Sequence, residues 1–369
     1  MRILIDYRPA LVQRTGVGEY THEMARALAT LLSSGDTLTL FSSSWKHRLE
    51  AGRVPGTSVV DARVPVRLLN FAWHRLEWPP VETLAGRIDI AHSMHPLLMP
   101  ARSAARLVTI YDLFFLRDAA GTAPEIQRDY TALTNDHARR ADAVVVISHY
   151  TAREVTTRLG VAPERIVLCP PGAPAWPRRE APAPGGPILY IGSAERRKNV
   201  PGLLRAYALL RTRLPDAPRL VLAGRAPERG SEISAMIRRP PWYPNVRHLG
   251  YVSDDERQGL YREASMLVMP SFDEGFGMPV LEAMTMGVPV VAADRGALPE
   301  LSGDAAQLVD PEDDEAIAEA MRHILENPAA AEAGIERGYR RAAEYSWHSS
   351  AARLLQVYRG AHARRGSTA

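Results

Sequence analysis

Short apolar runs separated by helical stretches recur along almost the whole chain, and this alternation narrows the fold more than any other feature. In the first half the runs are residues 2–5, 37–41, 88–91, 107–111, 143–147 and 165–168. Between the first two, Tyr20, Met24, Ala27, Leu28 and Leu31 repeat at helical spacing. The second half restarts the pattern with residues 188–191, 220–223, 245–248, 266–269, 289–292 and 307–309. Apolar runs this short, with helices between them, predict βαβ units and parallel sheets in an α/β fold.

A change of texture divides the two halves. Residues 169–187 hold prolines at 170, 171, 174, 177, 182, 184 and 187, and proline continues neither a helix nor a central strand. We therefore expect a Rossmann-like domain over 1–170, a stiff linker over 171–187 and a second Rossmann-like domain over 188–346. The tail from residue 347 reads as an amphipathic helix with Leu354, Leu355 and Tyr358 on one face. A length of 369 residues suits two domains. Ligands of open α/β sheets bind at the carboxyl ends of the strands, so two such sheets predict a ligand cleft between them.

Composition removes several classes of function. The sole cysteine, Cys169, leaves no intramolecular disulfide and no cysteine-clustered metal site. Net charge is +3 with scattered arginines, and no helix-turn-helix or zinc-finger spacing is present, so nucleic acid is not an expected partner. No apolar stretch approaches the roughly 18 residues of a membrane span. The start passes from Met1–Ile5 straight into polar sequence, which predicts a cytoplasmic protein, with peripheral contact at the inner membrane face a further option. Lys46 and Lys198 are the only lysines among 45 basic residues, so each marks a place where a compact point charge is required.

The strongest motif runs from Ser271 to Met284. The strand at 266–269 ends at Pro270, a loop with Glu274, Gly275, Phe276 and Gly277 follows, and a helix begins near Pro279. Amides of Gly275–Gly277 and the helix N-terminus suit a phosphate or sugar hydroxyls. Glu274 and Glu282 flank that turn, and a carboxylate accepts two hydroxyls of a hexose or a ribose at once. Spacing alone fits an ordinary strand–turn–helix equally well. A second cluster, Tyr190 to Asn199, places Arg196, Arg197 and Lys198 after a strand, where cations can neutralise a diphosphate leaving group. A third, Thr15-Gly16-Val17-Gly18-Glu19-Tyr20, lacks a third glycine at Thr21 and has Ser42 where a dinucleotide site carries an acid, which disfavours a NAD dehydrogenase.

Taken together these segments resemble the retaining glycosyltransferases of family 4, with GT-B architecture. The resemblance spans nearly the whole chain, from Thr15–Tyr20 through Val108–Asp112, Val146–Ser148, Gly192–Asn199, Val246–Val252, Glu274–Glu282 and Gly287–Pro289 to Gly296–Glu300. It implies a first domain that binds the acceptor and a second that binds a nucleotide-sugar. Glu282 would hold the donor ribose, Glu274 a hydroxyl of the transferred sugar, and Arg197 and Lys198 the diphosphate. Backbone at Tyr251 and Val252 would meet the base, and Gly16 and Gly18 would approach the donor. The helix over 347–369 would return to the first domain. Many members carry histidine where Tyr111 stands, so Tyr111, with Asp112 beside it, takes an altered role toward the transferred sugar. The similarity leans toward GDP-mannose as donor, a glycan or lipid-linked acceptor in cell-surface polysaccharide synthesis, and no metal or other cofactor.

Two rivals share these features: a nucleotide-sugar epimerase or GT-B phosphorylase, and a non-catalytic sugar-nucleotide-binding protein. Other candidates read as structure. The acidic run 312–315 follows Pro311 at a helix start, where negative charge complements the helix dipole. His92 and His95 flank a strand end as satisfied core histidines or as part of an acceptor site. The stretch 71–78, with Phe71, Trp73, Arg75 and Trp78, reads as a membrane or lipid contact or as an aromatic helix packed on a sheet.

Overall fold

The computed structural model describes residues 1–12, 16–118, 126–225 and 230–366; Thr15 of the first glycine motif lies outside them. The chain forms two compact units, one of residues 1–172 with 346–369 and one of residues 173–345.

Seven parallel strands make the first sheet: β1 (Arg2–Asp6), β2 (Thr37–Ser42), β3 (Ser58–Asp61), β4 (Ile90–Ser93), β5 (Ala105–Ile110), β6 (Ala143–Val146) and β7 (Ile166–Leu168). Their order is β3-β2-β1-β4-β5-β6-β7. Strand β3 was not expected from the sequence. Its residues Ser58, Val59, Val60 and Asp61 sit at the sheet edge and are all partly exposed, so no continuous apolar run marks them. The central strands show the opposite signature: β4 and β6 are buried along their whole length, as strands covered on both faces must be.

The second sheet is also all parallel, with β8 (Ile188–Ile191), β9 (Leu220–Ala223), β10 (Val246–His248), β11 (Met266–Met269), β12 (Val290–Ala293) and β13 (Ala306–Val309) in the order β10-β9-β8-β11-β12-β13. Helices Val200–Arg213 and Asp314–Glu326 cover one face, packing Leu203, Leu204, Tyr207, Ile317 and Met321 against Ile188, Met266 and Val268. Each such side chain, fully buried, contributes roughly 1.5–3 kcal/mol.

From residue 173 onward the proline-rich stretch is not a free joint but part of the second unit. Arg179 donates from its backbone to Met286 O (3.3 Å) and from Nη1 to Ala264 O (2.7 Å), and Trp176 packs on Tyr261 with centroids 5.9 Å apart. The tail helix extends further than its apolar stripe, over Trp347–Gly366, and belongs to the first unit. Trp347 packs against Tyr20 (5.5 Å), Ser350 Oγ donates to Pro170 O (2.7 Å), and Tyr358 Oη meets His92 Nδ1 at 2.6 Å. No helix among the described residues is long and apolar enough to cross a membrane.

Candidate functional site

Each strand order reverses direction once, between β1 and β4 in the first sheet and between β8 and β11 in the second. The connections leaving such a pair go to opposite sides, which opens a crevice at the carboxyl ends. In the second unit the loops leaving β8 and β11 are the ones that carry Arg197–Lys198 and Glu274.

After β8 a short 3-10 turn, Arg196–Lys198, runs into helix Val200–Arg213 through Asn199. Asn199 has φ +54°, a left-handed conformation that asparagine tolerates better than most residues. Its Oδ1 accepts from Gly202 N (3.2 Å) and its Nδ2 donates to Pro311 O (2.6 Å), so the bend behind Lys198 is fixed from two sides. Lys198 Nζ then reaches Glu274 Oε1 at 2.5 Å, and Arg197 Nη1 reaches Glu274 Oε2 at 3.4 Å. Arg197 also pairs through Nε with Glu195 (2.9 Å), and its carbonyl accepts from Phe272 N (2.8 Å), joining the two loops through the backbone.

After β11 the loop is held as firmly. Ser271 Oγ donates to Glu274 Oε1 (2.9 Å), and Ala297 N donates to Glu274 O (2.9 Å). Gly296 has φ +64°, and a Cβ there would lie 2.7 Å from both Glu274 N and O, so only glycine lets the two loops approach. Gly277, at φ +109°, caps helix Met278–Met286, and a Cβ would strike Leu298 Cδ2 at 2.6 Å. Burial pushes the Glu274 carboxyl upward, but the charges of Lys198 and Arg197 and the bonds from Lys198 and Ser271 outweigh it and hold it below the usual carboxylate range. Lys198 moves down as well, through burial and the charge of Arg197, against the opposing pull of Glu274.

Glu282 occupies a separate setting on the same helix. Its Oε2 accepts from Tyr261 Oη (2.8 Å) and its Oε1 lies 3.1 Å from Arg257 Nη1. Both partners stand on helix Asp254–Glu263, which a capping box between Ser253 and Glu256 starts directly after Tyr251 and Val252. The structure therefore ties Glu282 to the segment expected to meet the base. Burial raises the Glu282 carboxyl, with Arg257 and Tyr261 pulling the other way. Tyr251 itself is exposed.

In the first unit, Gly16 and Gly18 begin helix Gly16–Ala29 after β1, and a side chain at Gly16 would meet nothing within 4 Å. Tyr111 and Asp112 directly follow β5. Tyr111 Oη donates to Met94 O (3.3 Å), its ring meets Tyr20 edge-on at 5.4 Å, and burial holds the phenol neutral. Asp112 Oδ1 accepts from Phe114 N (3.2 Å). His92 is a core residue: Nδ1 meets Tyr358 Oη, Nε2 meets Thr109 Oγ1 (2.9 Å), and burial lowers the ring to about 3.

Sequence reasoning named His95 but missed the partners that gather around it at the first switch point. Asp6, at the end of β1, receives Arg8 Nε and Nη2 (2.8 and 2.6 Å) and His95 Nε2 (3.0 Å), while Arg8 Nη1 donates to Asn70 Oδ1 (2.8 Å). His95 Nδ1 accepts from Leu97 N (3.2 Å), so Nε2 carries the proton given to Asp6. Burial works against the Asp6 charge, yet Arg8 and His95 hold its carboxyl far below the usual range.

Known proteins agree with this arrangement unit by unit. Residues 14–176 match Glycosyltransferase Family 4, and residues 186–327 match the Glycosyl transferases group 1 family. A D-inositol 3-phosphate glycosyltransferase from Arthrobacter sp. is 30% identical over 94% of this chain and 90% of its own length. The chain belongs to glycosyltransferase family 4. Another relative of this glycosyltransferase, the O-antigen chain mannosyltransferase B of Escherichia coli, is 28% identical over 97% of this chain and 100% of its own. Among solved structures, the sucrose-phosphate synthase of Thermosynechococcus elongatus superposes with a TM-score of 0.78 at 21% identity, covering 98% of this chain and 99% of that one. The fold of the glycosyltransferase is GT-B.

Proposed function

We propose that the glycosyltransferase moves mannose from a nucleotide-activated donor, with GDP-mannose first in line, to a glycan or lipid-linked acceptor hydroxyl. The anomeric configuration is retained and no metal takes part. The observation that carries the reading is the placement of Lys198 and Arg197 against Glu274 at the second switch point, where two cations and a sugar-binding carboxylate share one crevice. Similarity to an O-antigen chain mannosyltransferase supports the sugar.

Among the described residues Glu274 is the side-chain partner of Lys198 Nζ, and an ammonium has three donors, so two remain for the diphosphate. Amides at the Gly277 cap add the positive end of the helix. Glu274 accepts a sugar hydroxyl, Glu282 accepts the ribose diol, and backbone at Tyr251 and Val252 faces the base. In the first unit, Gly16, Gly18, Tyr111 and Asp112 are the residues offered to substrate. The bond from the anomeric carbon to the phosphate oxygen breaks as the bond to the acceptor oxygen forms on the same face. The acceptor proton passes to the departing phosphate oxygen, whose charge Lys198 and Arg197 stabilise.

A thermal-shift screen across GDP- and UDP-sugars, followed by product analysis with and without EDTA, tests the reading. Stabilisation by GDP-mannose and an α-linked product formed in chelator are expected. A β-linked product, or activity lost to chelator and restored by magnesium or manganese, overturns the mechanism. Preference for another donor overturns only the sugar.

A further inference from the structure

Two features of the sequence play no part in the donor site: Lys46, the other of the two lysines, and the stretch 71–78. The structure brings both to one end of the first sheet. Strands β2 and β3 are neighbours, and Arg48 Nε binds Asp61 Oδ2 at 2.5 Å, which ties the loop after β2 to the end of β3. Helix Val66–Phe71 follows a few residues later and continues into a π turn, Ala72–Leu76.

This helix divides its apolar residues between two faces. Leu69 and Trp73 are buried; Trp73 stacks on Phe41 at 5.4 Å and donates from Nε1 to Pro79 O (3.0 Å). The π turn takes more residues per turn, so Trp73 stays in line with Leu69 while Leu76 returns to the side of Leu68 and Phe71. Leu68, Phe71, Leu76 and Trp78, with Trp45 on the neighbouring loop, are 59% to 68% exposed. Single exposed hydrophobics are ordinary, but five large ones in two adjoining segments are not.

Charge says what covers them. Residues 43–78 hold six Lys/Arg and three Asp/Glu, an excess of three cations that equals the excess of the entire chain. Two of the three acids are already paired, Asp61 with Arg48 and Glu77 with Arg140. Lys46, Arg63 and Arg67 are exposed in the same two segments, as is Arg75, which lies 3.7 Å from Asp129. A second copy of the chain would set these cations against their own kind, because a two-fold contact brings the same patch together.

We propose that this face docks the enzyme on an anionic lipid bilayer. The aromatic and leucine side chains enter the boundary between headgroups and acyl chains, and Lys46, Arg63 and Arg67 lie against lipid phosphates. The inference is independent of the donor site and stands whichever sugar is transferred.

The test is co-sedimentation of the full chain with vesicles of phosphatidylcholine mixed with phosphatidylglycerol, and with phosphatidylcholine alone. Wild-type protein binds the mixed vesicles, releases them as salt rises and ignores the neutral ones. Lys46→Glu with Arg67→Glu, and separately Phe71→Ser with Trp78→Ser, each weaken partitioning by about tenfold or more. All four side chains are exposed, so melting temperatures stay at the wild-type value. As a check within the wild-type fold, tryptophan emission shifts to the blue on mixing with anionic vesicles, and Trp78→Phe reduces the shift. No binding at low salt, equal binding to neutral vesicles, or variants that bind as wild type overturn the proposal. So does a concentration-dependent dimer that Phe71→Ser with Trp78→Ser dissolves, which would assign the face to a second copy.

Discussion

Lys198 Nζ and Glu274 Oε1 stand 2.5 Å apart although the residues are 76 positions apart in sequence and leave different strands. The contact exists because β8 and β11 lie side by side and both loops turn into the same crevice. A buried pair of this kind has two readings, a structural ion pair or a charged site held ready for a ligand, and substitutions separate them.

Lys198→Met leaves Glu274 buried opposite Arg197 alone. Breaking one partner of a buried pair costs roughly 3–5 kcal/mol, and we expect a loss of that order in urea unfolding together with loss of transfer. Adding Glu274→Gln removes the uncompensated charge and restores much of the stability. Activity stays absent in the double variant. Recovery of activity along with stability would show the pair to be structural.

On the proposed reading the two glutamates divide the donor. Glu282→Ala weakens both the nucleotide diphosphate and the donor by about 1.5–3 kcal/mol, the range for hydrogen bonds to charged groups. Glu274→Gln releases Lys198 and Arg197 from a competing carboxylate, so nucleotide diphosphate binds no more weakly than to wild type while turnover falls. Calorimetry with the free nucleotide reads the difference. Equal weakening in both variants would end this division of labour.

Glu282 also predicts a pH dependence. Its carboxyl is raised in the folded protein, chiefly by burial, so it takes up a proton above the ordinary glutamate range. On the proposed assignment, only the ionised form accepts both ribose hydroxyls. Nucleotide affinity therefore declines on acidification earlier than the titration of an exposed glutamate would allow. Because nucleotide phosphates titrate too, the comparison is with Glu282→Gln, in which the early part of the decline disappears. A pH profile that the substitution leaves unchanged counts against the assignment.

Gly296→Ala forces a side chain onto the Glu274 backbone at a left-handed φ. We expect about 1–3 kcal/mol of destabilisation and a larger effect on turnover than on nucleotide binding, since it is Glu274 that shifts. Unchanged melting and turnover would mean the loop can relax without moving Glu274.

What the sequence made readable follows how local each feature is. The runs behind β6 and β11 are continuous and apolar because both faces are covered, so they stood out; β3 is a partly exposed edge strand and did not. Glu274, Gly277 and Glu282 fall within one strand–turn–helix segment, and their spacing carried them. Arg257 and Tyr261 did not stand out, since only the packing of helix Asp254–Glu263 brings them to Glu282. The Asp6–His95 contact spans 89 residues and depends on β1 lying next to β4, a fact of strand order that no local pattern contains.

The first unit is completed by the helix Trp347–Gly366, while the whole second unit lies between that helix and residue 172. Where the second unit begins and ends, Ala173 N donates to Tyr345 O at 3.0 Å, so its two ends lie side by side. On the ribosome, every residue of the second unit emerges before the helix that Tyr20, His92 and Pro170 await. The unit that is begun first is thus the one finished last, because its contact between His92 and Tyr358 forms only after Tyr358 has been made. A premature stop shortly before Tyr358 would spare the later-made unit and cripple the earlier one.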